Sequence, residues 1–239
     1  MTAGVPGTPG PTGLPGVRGF PGHRPLSVQR AGVVPYGEGL RLQEDLVARR
    51  RAGEIPDTLV LLEHPHVITL GSSSDQAYVL LGEEEREARG VELHEVGRGG
   101  SVTYHGPGQL VAYPIIDLKP DRKDLHAYLR DLEEVMIRVA ATFGVEARRR
   151  DGLTGAWTDS GKLAAIGVRV SSRWIASHGA ALNVSSDLGF FESIVPCGLA
   201  GEGVTSLEHE IGSPVRLEEV SETLAQLFAD VFDREIIVA

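Results

Sequence analysis

Residues 58–71 read TLVLLEHPHVITLG, two apolar runs of strand length separated by Pro65 and closed by Gly71. Runs that are apolar at successive positions, bounded by proline or glycine, suit strands buried on both faces. Such strands need helices to cover them, and the sequence supplies candidates. Residues 39–50 (GLRLQEDLVARR) have helical spacing, and residues 124–144 carry the clearest helix. There Leu125, Tyr128, Leu129, Leu132, Met136, Val139 and Phe143 step by three and four, and Gly144 stands where a C-terminal cap is expected. Residues 162–170 and 178–184 are strand-like and joined by a polar turn with Arg173 and Trp174; residues 217–232 form a last helix. Strands and helices in this order, with several hairpin-length connections, predict an α+β or mixed α/β fold, a mixed sheet covered by helices. With 41% hydrophobic residues among 239, the chain can bury a sizeable core as one domain.

That domain is expected over residues 25–239. Residues 1–24 differ: glycine recurs at every third position from Gly4 to Gly22 with proline interspersed, the Gly-X-Y period of collagen. A triple helix demands three chains and ordinarily a much longer run, so the segment reads as a disordered, polyproline-prone tail with no core to bury. A formal net charge of −10 argues against nucleic acid as the main partner, because phosphate binding needs a basic face. No window approaches the roughly eighteen apolar residues of a membrane span, and the N-terminus lacks the apolar core of a secretory signal. The single cysteine forms no internal disulfide, and the repeated Cys/His pairs of a zinc framework are missing. The expectation is a cytoplasmic protein without metal.

Three glycine-rich stretches do not fit core packing. In GRGGSVTYHGPGQLVAYP (97–114), Gly99, Gly100, Gly106 and Gly108 let backbone approach a ligand and present its N–H groups, while Arg98, Tyr104, His105 and Gln109 supply polar tips. The second is GKLAAIGVRV (161–170); the third is SHGAALNV (177–184), leading on to PCGLAG (196–201). Of 23 basic residues only Lys119, Lys123 and Lys162 are lysines, so arginine serves wherever a plain positive charge suffices. Lys162, among small apolar neighbours, is then either a surface residue at a strand edge or one whose chemistry is wanted. Unlike arginine, a partly buried lysine can release and retake a proton. Cys197 poses the same choice. A lone cysteine is most often a small buried hydrophobe, but Pro196 and Gly198 argue for an exposed turn, and an ammonium nearby would turn a thiol into an effective nucleophile. Sequence alone does not bring Lys162 and Cys197 together.

RGGSVTYHGPGQLVAYP, GKLAAIGVRV, SHGAALNV and PCG occur in the order and spacing of the octanoyltransferase family of lipoate biosynthesis, which the chain resembles over about residues 28–230. The resemblance implies a fold like that of biotin and lipoate protein ligases. The implied reaction moves an octanoyl group from octanoyl-acyl carrier protein to a lysine of a lipoyl domain, as in the E2 subunits of 2-oxoacid dehydrogenases and the glycine cleavage H protein. It requires no ATP or other cofactor. Carried over by position, Cys197 matches the nucleophile that holds the acyl thioester and Lys162 its partner. Three segments match the acyl-binding surface: Arg98, Gly99, Gly100, Ser101, Val102, Thr103, Tyr104 and His105; Ala165, Ile166 and Gly167; Gly179, Ala180 and Ala181. His105 and His178 are expected to shape the pocket rather than act as base. Two positions depart from the commoner pattern: Ala180 replaces a bulkier apolar residue, and Ser72 stands where arginine is frequent. The alternative is an ATP-dependent lipoate or biotin ligase, which activates its acid as an acyl-adenylate and needs no cysteine.

Overall fold

A computed structural model of the chain describes residues 24–119, 121–195 and 203–237. Of the segment that reads as a tail, residues 1–23 lie outside the described residues; Arg24 opens the first strand. In chain order the elements are β1 (Arg24–Val33), α1 (Tyr36–Ala52), β2 (Asp57–Glu63), β3 (Val67–Leu70), α2 (Glu83–Ala88), β4 (Glu92–Glu95), β5 (Val102–His105), β6 (Gln109–Ile115), α3 (Leu125–Thr142), β7 (Arg148–Arg150), β8 (Leu153–Trp157), β9 (Lys162–Val170), β10 (Ala176–Asn183), α4 (Leu207–Ile211), α5 (Leu217–Phe232) and β11 (Arg234–Ile237). Short 3-10 turns occupy Gln76–Tyr78 and Leu188–Ser193.

The described strands form two sheets. The larger runs β11-β1-β2-β6-β10-β9-β8-β7, parallel at β11-β1-β2 and antiparallel beyond; the smaller runs β4-β3-β5. The two apolar runs around Pro65 therefore part company: β2 is central in the large sheet, whereas β3 is central in the small one. In β2 and β6 successive residues serve opposite faces, as a period of two requires. Leu59, Leu61, Leu110 and Ala112 face α3 and α5, with Tyr128, Phe228 and Phe232. Val60, Leu62, Val111 and Tyr113 face Leu46 of α1. Replacing fully buried Phe228, stacked on Phe232 at 4.2 Å, with alanine would cost about 3–5 kcal/mol.

The ends of the helices follow from their sequence. Asp124 caps α3 by accepting from the N–H groups of His126 and Ala127. Gly144 at φ +77 donates to the Ala141 carbonyl while Val145 returns to Ala140, the left-handed stop that the sequence predicts. Beyond α5 the chain turns at Asp233 and adds β11 parallel to β1. Asp57, buried at the start of β2, locks this edge. Its carboxylate accepts from Arg234 (2.9 Å) and Arg50 (2.7 Å) and from the backbone N–H of Asp117 (3.0 Å).

Candidate active site

A cavity of about 480 Å3 lies where the glycine-rich segment after β4 crosses from the small sheet to the large one. The crossing is built by backbone. Gly71 and Ser72 donate to the carbonyls of Ser101 and Arg98, Ser73 donates to Gly100, and Gly99 donates to Val168 of β9. Side chains would block it. A Cβ at Gly71 would collide with the Gly100 carbonyl, and one at Gly167 would sit 2.9 Å from the Gly99 carbonyl. Arg98, nearly buried, fastens the segment to β3 by donating to the Thr69 hydroxyl (2.8 Å) and carbonyl (2.9 Å).

One end of the cavity is walled by uncharged rings from distant parts of the chain, Tyr36, His105, Tyr113 and His178, with His64 behind them against the Tyr113 hydroxyl. The Val34 carbonyl can only accept, so His64 carries its proton on Nδ1 (2.6 Å), and its Nε2 accepts from the Tyr113 hydroxyl (2.7 Å). His105 likewise donates from Nδ1 to Gln109 Oε1 (2.6 Å); Tyr36 stacks on His105 and meets His64 edge-on, and the two imidazoles meet each other edge-on. Burial pushes His105 down to about 3, helped by His64, and pushes His64 and His178 down to about 4. Burial also raises Tyr36 to about 12 and Tyr113 well above its ordinary value. At neutral pH these rings carry no charge, as suits a wall shaping a pocket.

Lys162 stands at the other end, as the first residue of β9. Its Nζ lies 4.6 Å from the centre of the buried Trp157 ring, a cation–π contact that Arg150 shares at 4.8 Å. Its backbone N–H donates to the Gly203 carbonyl (2.8 Å), and its carbonyl accepts from Thr205 (3.0 Å). A buried relay of amides secures this pairing: Gln109 Nε2 donates to Asn183 Oδ1 (2.9 Å), and Asn183 Nδ2 donates to the Thr205 carbonyl (2.9 Å). The glycine-rich loop, β10 and the segment after residue 202 thereby form one hydrogen-bonded frame around Lys162. Between its two ends the cavity is apolar, with Val111, Leu129, Leu153, Ile166 and Phe191 in the wall. An aliphatic chain with its carbonyl at the lysine end fits that distribution.

Of the residues singled out by the sequence, Arg98, Gly99, Gly100, Ser101, Val102, Thr103, His105, Lys162, Ala165, Ile166, Gly167, Gly179, Ala180 and Ala181 line this cavity. Tyr104 does not; it lies on the opposite side of β5, packed on Phe190 and Phe191, with its hydroxyl against His66. Cys197 lies outside the described residues. Sequence reasoning missed Tyr36 and His64, which lie outside the three glycine-rich stretches and have no local signal, and passed over Tyr113 at the end of the first stretch. Among the described residues no cluster of three or more His, Cys, Asp or Glu is placed to hold a metal, and no helix is long and apolar enough to cross a membrane.

The chain matches the lipoyl protein ligase A/B catalytic domain over residues 35–229. An octanoyltransferase of Rubrobacter xylanophilus is 52% identical over 208 residues, 86% of this chain and 93% of its own length. One of Solibacter usitatus is 46% identical, covering 90% of this chain and 96% of the relative. A crystal structure of lipoate-protein ligase A bound with ATP superposes with a TM-score of 0.70 at 17% identity, covering 90% of each chain, and shows the shared fold. The chain therefore belongs to the lipoyl protein ligase A/B catalytic domain family and, within it, to the octanoyltransferases.

Proposed function

We propose that residues 25–239 form a cytoplasmic acyltransferase that moves an octanoyl group from octanoyl-acyl carrier protein to a specific lysine of lipoyl domains, those of 2-oxoacid dehydrogenase E2 subunits and the glycine cleavage H protein. The group is held in transit as a thioester on Cys197. One observation carries the reading: Lys162 opens the apolar cavity while its backbone pairs with Gly203 and Thr205, in the segment shortly after Cys197.

The chemistry is balanced without nucleotide, because a thioester is less stable than the amide that replaces it. The Cys197 thiolate adds to the donor carbonyl, and backbone N–H groups near Cys197 or in the HGPGQ loop (105–109) stabilise the oxyanion. Collapse breaks the bond to the carrier sulfur, which leaves with a proton from the Lys162 ammonium. The acceptor amine then adds to the acyl-enzyme, Lys162 as free amine takes its proton, and the Cys197 thiolate leaves. An unperturbed thiol, with pKa near 8.5, is only a few per cent thiolate at neutral pH, so an adjacent ammonium supplies part of the rate. The neutral imidazoles of His105 and His178 enclose the chain, and His64 holds the Tyr113 hydroxyl behind them.

Intact-mass measurement after mixing the protein with octanoyl-acyl carrier protein, with no nucleotide, tests this directly. An octanoyl adduct on Cys197 that disappears on adding apo lipoyl domain is expected. Transfer only when ATP and free octanoate are supplied would replace the reading with an adenylating ligase.

A further inference from the structure

His178 belongs to the walls of two cavities. One is the cavity that opens at Lys162; the other, about 670 Å3, lies between α1 and the β9–β10 hairpin, with Gln43, Arg51, Arg169 and Ser177 in its wall. His178 is thus the residue that the two walls share. Its backbone holds φ +54, a conformation few residues other than glycine adopt, so the side chain leaves the regular alternation of β10. A buried side chain maintains that turn: Gln43 Oε1 accepts from the His178 backbone N–H at 2.7 Å. Gln43 is 3% exposed, and among the described residues its Nε2 has no hydrogen-bond partner, so the bond from His178 is the one its side chain makes there. The ring is nearly buried and meets Tyr113 edge-on at 6.3 Å.

The geometry points to His178 as the stop that sets acyl chain length, with Gln43 as the residue that positions it; the inference rests on the acyl-transfer reading above. Lys162 opens β9, and His178 is the register partner of Val168 near the other end of that strand. The rise of a strand places the two backbones about 20 Å apart, which leaves room for an extended chain of about eight carbons once both side chains have taken their share. A longer chain has to displace the imidazole. Behind it the second cavity offers space together with the apolar side chains of Val47, Val96 and Ile175.

The test compares octanoyl, decanoyl, dodecanoyl and tetradecanoyl groups on acyl carrier protein, read as the ratio of kcat/KM for dodecanoyl to octanoyl. His178→Gly suits the backbone and removes the ring; His178→Asn also suits it and leaves a smaller side chain. We expect the ratio to rise at least tenfold in His178→Gly and by less in His178→Asn. An unchanged ratio in either variant that still transfers octanoyl overturns the inference. So does loss of transfer for every chain length in a variant that melts like the parent, because His178 would then act in the chemistry. Should both variants unfold, Gln43→Ala decides, since it frees the ring without removing it: a raised ratio supports the stop, and an unchanged one refutes it. Failure of the unmodified enzyme with every carrier-bound donor would instead overturn the acyl-transfer reading, and it is seen before any variant is made.

Discussion

Asn183→Ala probes the frame around Lys162. The side chain is 4% exposed and makes two buried hydrogen bonds, from Gln109 Nε2 and to the Thr205 carbonyl. Gln109 keeps a longer bond to the Tyr104 carbonyl at 3.3 Å, so it is only partly orphaned. Thr205 loses a donor outright. Leaving a buried polar group unsatisfied costs about 1–3 kcal/mol, so the pair sums to roughly 2–4 kcal/mol. For a chain of this size each kcal/mol lowers Tm by about 2–4 °C, so a fall of roughly 5–15 °C is expected in a thermal melt followed by circular dichroism. The loss has a functional side as well. Thr205 donates to the Lys162 carbonyl, and loosening it shifts the lysine on which the proposed transfer depends. Adduct formation from octanoyl-acyl carrier protein, measured well below Tm, should slow by more than tenfold, since a misplacement of about 1 Å costs on the order of a hundredfold. A Tm within a degree of the parent, with unchanged adduct formation, would refute the relay.

Three further outcomes are expected. Lys162→Arg keeps a positive charge but cannot release a proton near neutral pH, so in single-turnover assays adduct growth survives in part while transfer to apo lipoyl domain falls by about two to four orders of magnitude; equal loss in both steps would remove the base role. His64, His105 and His178 bind protons far less readily folded than the roughly 6.5 of an unfolded histidine. As pH falls from 6.5 toward 4 the unfolded state therefore takes up more protons, and stability drops by up to about 1.4 kcal/mol per pH unit for each histidine. A urea midpoint that stays flat from pH 7 to pH 5 would contradict this. Asp57→Ala strips the carboxylate shared by Arg234 and Arg50 and should destabilise by about 3–5 kcal/mol; an unchanged urea midpoint would show that Asp121 suffices for Arg234.

Elements whose pattern is set by one buried face were legible in sequence. β9 spans 162–170 and α5 spans 217–232, the bounds that spacing and turn residues predict. The edge of the large sheet was not. β1 is mostly exposed beyond Val28 and β7 is three arginines, so neither carries an apolar alternation to read. β11 is four residues long and takes its identity from pairing with β1. Nor does a sequence say that the runs on either side of Pro65 belong to different sheets, since both are apolar throughout. In the candidate site the glycine-rich segments were visible because close backbone approach excludes side chains. Tyr36, His64 and Gln43 were invisible, and Tyr113 went unremarked within the first stretch, because their role comes from tertiary neighbours that no local spacing encodes.

The parallel pairing of β1 with β11 has a consequence for how the chain acquires its fold. Arg24 lies opposite Arg234, so the first described strand finds one of its two neighbours only after nearly all the rest has been made. On a ribosome β1 can add to β2 early, but its outer edge stays unpaired, a template for a second nascent chain. Loop closure over such a span adds little to the equilibrium cost, because that cost grows only with the logarithm of length, yet it weighs on rate. The Asp57 carboxylate waits through the same interval for Arg234. The interval before β11 docks is thus when this protein is most exposed to aggregation, and shortening it by circular permutation through the β1–β11 edge should improve the yield of refolding more than it changes the stability of the finished fold.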